Sequence, residues 1–294
     1  MIGAIGLELD EGRVIGVRVS AQGAIEARTA IVGDDLVAAT EDALVQLLAL
    51  STDRPVIGLA SAADAKPVAA AVAALAPRLG GSQRVVSSGT AAAVAESWIG
   101  AARGAGDVAY FAMADRTTAG LVRDGAPVTG SHGRAASVAW LSLNPVERED
   151  YRRVGCLEAE VAASGVVRRL VWRIKTGDDS SVPDVVANDL AAITIEHVLE
   201  AARAGDGVSI SVVRDTAKYL GMAAANLVVI TDPEVLVLGG IIATAGDLLL
   251  DPLRAELARR LPRPMLDALA IVPAVLGVEA PAIGAARLVA PTLP

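Results

Sequence analysis

A chain of 294 residues, 53% apolar and 20% charged, is long enough to bury one large α/β core or two domains, and it excludes a disordered protein. A net charge of -8 argues against nucleic acid and anionic membrane as direct partners, and one Phe, three Tyr and three Trp leave few platforms for stacking bases. One cysteine excludes an internal disulfide and fits a reducing cytoplasm, and apolar runs such as Val235–Leu238 are far short of a membrane span.

The first residues carry no basic stretch ahead of an apolar one, so no signal peptide is expected. Ile2–Leu9 alternates as a strand, Asp10–Gly12 is a turn, Arg13–Val19 is a second strand, and "SAQG" closes a hairpin into Ala24–Ile31. The chain thus opens on a β-meander. Asp34 and Asp35 form a plausible N-cap region ahead of Leu36, Ala39, Leu44, Leu47 and Leu48 at helical spacing. Val56–Ala60 reads as a buried strand, Ala65–Leu79 as a helix, and Val85–Val86 as a strand leading into "SSGT" and an alanine-rich helix. Ser88, Gly89 or Thr90 suits the N-cap of that helix.

The order then repeats. Strands are expected at Val108–Met113 and Thr118–Arg123, with "RDGAP" as a turn. Helices follow at Leu157–Lys175, Val185–Ala204 and Val208–Ile230, with "KTGDDSSVPD" a surface loop. A strand at Val235–Leu238 ends in Gly239–Gly240, and a helix at Ala245–Leu261 comes after it. Two successive meander-then-helix units predict a duplicated α/β architecture with a cleft between the halves.

Four stretches in order, "AAAVAESWIGAARG", "VGCLEAEVAASG", "LGMAAANLVVITDPEVLVLGG" and "LGVEAPAIGAARLV", resemble the ROK family of sugar kinases and sugar-responsive repressors. The resemblance implies a two-lobed actin-like ATPase (ribonuclease H-like) fold with an interlobe cleft. The N-terminal lobe would span 1–115, with a C-terminal helix near 282–290 packing back on it. The larger lobe would span 116–281.

At the chemistry-bearing motifs the chain departs from the family pattern. The family's first phosphate loop, Asp-x-Gly-Gly-Thr-Lys, matches Glu8, Leu9, Asp10, Glu11, Gly12 and Arg13, so acids stand where glycine amides would cradle phosphate. This run reads as a charged hairpin turn; a cation held by Glu8, Asp10 and Glu11 is the alternative. The second phosphate loop matches Ala114–Gly120 and keeps one glycine of five; Thr117, Thr118 and Arg116 offer an anion two hydroxyls and a guanidinium. On the nucleoside side Gly239 and Gly240 remain. Ser87 and Ser88 fall on the family's Asn and catalytic Asp, and serine is no general base at pH 7.

The sugar contacts match His132, Ser137 and Trp140, of which Ser137 replaces a Glu and Trp140 a His, while Glu158 retains the family's sugar-binding Glu. Of three zinc cysteines only Cys156 remains, so no zinc is expected, and Cys156 reads as a small buried hydrophobe. A serine nucleophile would need a histidine base. Only His132 and His197 exist, and His197 in "AITIEHVLEAA" reads as a mid-helix surface or packing residue.

The resulting expectation is a catalytically degenerate member: a cytoplasmic, homodimeric binding or regulatory protein for a sugar-like ligand, binding ATP and Mg weakly if at all. The alternative is an active ATP-dependent sugar kinase with an atypical site. A sugar-responsive DNA-binding regulator is disfavoured, since the chain is acidic and opens on a strand rather than a helix-turn-helix.

Overall fold

The computed structural model describes residues 3–10, 12–20, 22–49, 55–62, 66–76 and 85–290. The first half runs β1 (Ala4–Asp10), β2 (Arg13–Val19), β3 (Ile25–Val32), α1 (Leu36–Leu48), β4 (Val56–Ser61), α2 (Lys66–Leu75), β5 (Val85–Ser87) and α3 (Ser88–Trp98). The second half begins with β6 (Val108–Met113), β7 (Thr117–Arg123) and β8 (Ala126–Pro127). Helices α4 (Glu149–Val154), α5 (Cys156–Val161), α6 (Ala163–Lys175), α7 (Val182–Val185), α8 (Ile195–Arg203) and α9 (Gly207–Thr231) follow. The chain closes with β9 (Val235–Gly240), α10 (Ile241–Thr244), α11 (Gly246–Arg260), α12 (Arg263–Ala268), β10 (Ala270–Pro273) and α13 (Ala280–Val289).

The two sheets share one topology. The first is ordered β3-β2-β1-β4-β5 and the second β10-β9-β6-β7-β8. Counted within each sheet, with the second read from β8, both run third, second, first, fourth, fifth, which is the duplication expected from the repeated element order. In the first sheet the meander strands pair antiparallel, and β4 lies parallel to β1 and to β5. Two compact units divide the chain: Met1–Tyr110, Ala119–Ala136 and Ala274–Pro294 form unit 1, and Phe111–Thr118 with Ser137–Pro273 form unit 2.

The period-2 alternation of β1 decides what each face of the first sheet meets. Ile5, Leu7 and Leu9 point into a core built with Leu36, Ala39, Leu44 and Leu47 of α1 and Val68 and Ala71 of α2. Gly6, on the other parity, meets α13: a Cβ there would lie 1.8 Å from the Ala282 carbonyl oxygen. On β4, Gly58 would place one 2.0 Å from that of Ala285. Gly284 brings α13 equally close to Ala91 of α3. Small residues let two helices lie directly on the sheet, and Glu8, two residues from Gly6, belongs to that same face.

Two expected helices take a different course. The stretch 157–175 breaks at Ala162, which is extended (ψ 155). The break frees the Ala163 amide to donate to the Ala114 carbonyl at 3.0 Å, and Gly165 lets α6 turn against the Ala159 carbonyl. The stretch 185–204 is only helical from Ile195 on. Ala187 and Asn188 are left-handed (φ 50 and 63), which ends α7, and Asp189 caps a short 3-10 turn through the Ala191 N–H. Helix α2 spans Lys66–Leu75, and the rest of the expected Ala65–Leu79 lies outside the described residues apart from a turn at Ala76.

Candidate functional site

In unit 1, β1 carries Glu8 into the protein on the face that α13 covers. Its carboxyl is buried, and burial pushes its pKa above the usual carboxylate range. The nearby Ser88 hydroxyl and the charge of Arg13 pull the other way, while Asp10 adds to the rise. Ser88 is 3% exposed, and its hydroxyl finds no partner at full hydrogen-bond geometry, so the buried Glu8 carboxyl is the polar group it faces. Glu8 lies inside β1, as the alternation over Ile2–Leu9 predicts, and the strand runs one residue further, to Asp10, before turning.

The pairing has a measurable consequence. An acid with a raised folded pKa keeps a proton that the unfolded chain has already lost, so stability grows as pH falls from the folded pKa towards the unfolded value. Glu8→Gln removes the charge and can donate to Ser88 Oγ. It is expected to raise the melting temperature at pH 7–8, with the gain shrinking as pH falls towards 4.5, the ordinary value. Thermal scans across pH check this; a loss of stability at pH 7–8, or a gain that does not change with pH, contradicts it.

The turn before α3 corrects the cap. Ser87, not Ser88, Gly89 or Thr90, is the N-cap, with φ -65 and ψ 141; its Oγ accepts from the Thr90 N–H at 3.1 Å and bonds Thr90 Oγ1 at 2.7 Å. The cap must be the last extended residue, and β5 runs through Ser87. Ser88 then enters the first helical turn and is buried. At the β1–β2 turn, Asp10 pairs across to Arg13, 4.0 Å away, and Gly12 takes φ 77, a conformation that favours glycine. Glu11 lies outside the described residues. His132 is exposed in a loop.

In unit 2, two residues assigned by resemblance to opposite sides of a reaction are bonded to each other. Glu158, in the first turn of α5, accepts from the Thr117 backbone N–H at 3.0 Å and from Thr117 Oγ1 at 3.1 Å. Both bonds land on Oε2. Gly155 sets this turn with φ 97, and a Cβ there would sit 2.2 Å from the Ala139 carbonyl. Thr117 and Thr118 start β7, so only Ala114–Arg116 remains a turn, closed by the Ala114 N–H to the Arg116 carbonyl. β-branched residues in place of glycines extend the strand at the expense of the loop. The surviving Gly120 lies in unit 1, where a Cβ would meet the Gly89 carbonyl at 2.0 Å. Packing against the start of α3 explains it without a phosphate.

Gly239 is buried and Gly240 has φ 62, with the Met113 carbonyl 2.2 Å from where a Cβ would stand. Ser137 precedes a short 3-10 turn that Trp140 ends, and both are exposed, Trp140 by 59%. Cys156 is buried in a cluster with Tyr151 and Ala159, and among the described residues no three His, Cys, Asp or Glu gather as metal ligands. His197 is not mid-helix: it is the third residue of α8, where its Nδ1 accepts from the Thr194 N–H at 3.1 Å in a capping box.

The Glu8–Ser88 contact was missed at the level of sequence. The alternation over Ile2–Leu9 puts Glu8 on the same strand face as Gly6, and that was the available signal.

Comparison with known proteins agrees with this architecture. A sequence model described as the ROK family matches residues 71–291. A glucokinase of Halalkalibacterium halodurans is 32% identical over 201 residues, covering 67% of this chain and 60% of that protein. The chain thus spans less than two thirds of that relative's length. The crystal structure of a ROK family glucokinase from Streptomyces griseus in complex with glucose and AMPPNP superposes with a TM-score of 0.79 at 22% identity, over 97% of this chain and 98% of that one. A ROK family transcriptional regulator, described as a homologue of the E. coli MLC protein, gives 0.81 at 20% identity over 97% and 77%. The two-sheet chain has the two-lobed actin-like ATPase fold of these structures. Among the described residues no helix is long and apolar enough to cross a membrane.

Proposed function

We propose a function on the footing that the chain belongs to the ROK family: it is a sugar-kinase-like protein that binds a small sugar-like ligand and has lost phosphotransfer. The observation that carries this reading is the turn before α3. The Ser87 hydroxyl is engaged in capping and the Ser88 hydroxyl is buried against Glu8, so neither offers a base to a sugar hydroxyl. The free thiol of Cys156 supports residence in a reducing compartment. Calorimetric titration with hexoses and with MgATP tests the binding role apart from turnover.

Nucleotide binding follows the same logic. By the resemblance Gly239 and Gly240 stand on the nucleoside side, while Asp10 and Asp115 bring negative charge to the two former phosphate loops. Adenosine is expected to bind no worse than MgATP. MgATP binding about tenfold tighter than adenosine, a difference of roughly 1.4 kcal/mol, overturns this.

A homodimer is the proposed assembly. Val229 and Ile230 at the end of α9 are 55% and 75% exposed, an apolar edge for a second copy to cover. Light scattering at micromolar concentration should return twice the 29.8 kDa chain mass; a monomer mass contradicts it.

One observation favours a second reading, an active kinase. Glu8 is a carboxyl beside the position of the lost base, with a pKa raised in the direction a general base needs. In that case Glu8→Gln abolishes a turnover that the wild type possesses.

A further inference from the structure

Unit 2 holds a cavity of about 900 Å³ over α4, α6 and α9 that uses none of Glu8, Ser88, Thr117 or Glu158. Four cations line it, Arg148, Arg168, Arg169 and Lys218, against three carboxylates, Asp150, Glu160 and Asp215. In a chain of net charge -8 this local excess of cations runs against the average.

Within each ion pair the cation is the more exposed partner, although Arg169, at 17%, lies deep. Glu160 is buried beneath Arg148 and Arg169, at 3.2 and 2.8 Å, and takes the Tyr151 hydroxyl as well. Its side chain is 7% exposed and that of Arg148 53%. Arg168 (47%) stands above Asp150 (22%), and Lys218 (57%) above Asp215 (40%), with Nζ 2.8 Å from the carboxylate. The carboxylates hold Arg148, Arg168 and Lys218 in place without covering them, so these three present positive charge to an entering molecule. Arg169 also lies over the Tyr219 ring, 5.8 Å from its centroid, which fixes its plane. Beside them Trp172 is 62% exposed, a large apolar face at the rim of a charged cavity.

We propose that this cavity is a binding site for a small phosphomonoester carried on a saturated ring, with Arg148 and Lys218 on the phosphate and the Trp172 indole against the ring. A phosphate brings roughly -1.5 to -2 charges and acceptor oxygens suited to guanidinium forks, and the indole gives the carrier an apolar surface to cover. The site stands independently of the reading given to Ser88.

The test is calorimetry on the full chain with glucose 6-phosphate, inorganic phosphate and glucose as separate probes. Glucose 6-phosphate is expected to bind more tightly than inorganic phosphate, and glucose not to bind here. Arg148→Ala and Lys218→Ala each weaken glucose 6-phosphate about tenfold, as expected for a charged hydrogen bond. Trp172→Ala weakens glucose 6-phosphate and leaves inorganic phosphate unchanged. These side chains are about half exposed or more, so the variants should fold, and circular dichroism verifies it. Arg152→Ala, which removes an exposed arginine outside the cavity, is the matched control and leaves binding intact. The proposal is overturned if millimolar glucose 6-phosphate gives no heat. It is equally overturned if the Arg148 and Lys218 variants bind as the wild type does, or if Trp172→Ala affects both phosphates alike.

Discussion

Protein supplied with MgATP and glucose, mannose, fructose or an N-acetylhexosamine is expected to form no sugar phosphate above background. Phosphoryl transfer needs phosphates held in line, their charge neutralised, and a base on the nucleophile. Losing a positioned base alone costs about 10²–10⁴ in rate, and by the resemblance most glycines of the two phosphate loops are replaced as well. Ser88→Asp is expected not to restore activity. It would set a second carboxyl against the buried Glu8, so like charges would raise both pKa values and lower stability. Ser88→Asp should therefore melt below wild type, and Glu8→Gln in the same chain should recover part of the loss. Adding Asp10→Gly, Glu11→Gly and Ser137→Glu is expected to yield at most a trace, because defects acting on one transition state form a unit. Wild-type turnover of about 1 s⁻¹ or faster, an ordinary enzyme rate, defeats the non-catalytic reading. Its abolition by Glu8→Gln would then favour the kinase in which Glu8 is the base.

The second large effect concerns stability. Glu96 of α3 is fully buried and accepts from three backbone N–H groups: Ala101 at 2.7 Å, Val275 at 3.1 Å and Leu276 at 3.0 Å. It ties the end of α3 to the segment entering α13, both within unit 1. Glu96→Ala leaves three donors without their acceptor in a site closed to water, and a cavity besides. The expected loss is about 3–5 kcal/mol, a fall in melting temperature on the order of 10 °C. Glu96→Gln keeps the shape but sets an amide NH2 where only acceptors serve, so it should recover less than half of that loss. A Glu96→Ala variant that melts within about 2 °C of wild type, under 1 kcal/mol on the same scale, contradicts this role.

Local pattern alone revealed much of this protein. Alternation fixes β1 to β3, because one parity must be apolar to meet α1. Asp35 announces α1 because its carboxylate accepts from the Val37 and Ala38 amides two and three residues further on. The repeated element order foretold the shared topology of the two sheets, and four stretches in sequence pointed to the ROK family. Such features need only neighbours along the chain, and a linear reading sees those.

What only the tertiary structure decided are meetings between distant residues. Glu96 reads as one more polar position in an alanine-rich helix until Val275, 179 residues away, donates to it. Thr117 and Glu158 carry separate assignments by motif, yet 41 residues apart they consume each other's hydrogen bonds. Arg148, Arg169 and Glu160 read as scattered helix charges until α4, α5 and α6 fold over one another. In each case a buried or half-buried polar group must be paired to offset its desolvation. The sequence states that the group exists; the partner is set by how helices cross sheets, and that is written in backbone contacts at Gly6, Gly58 and Gly284 rather than in any local motif.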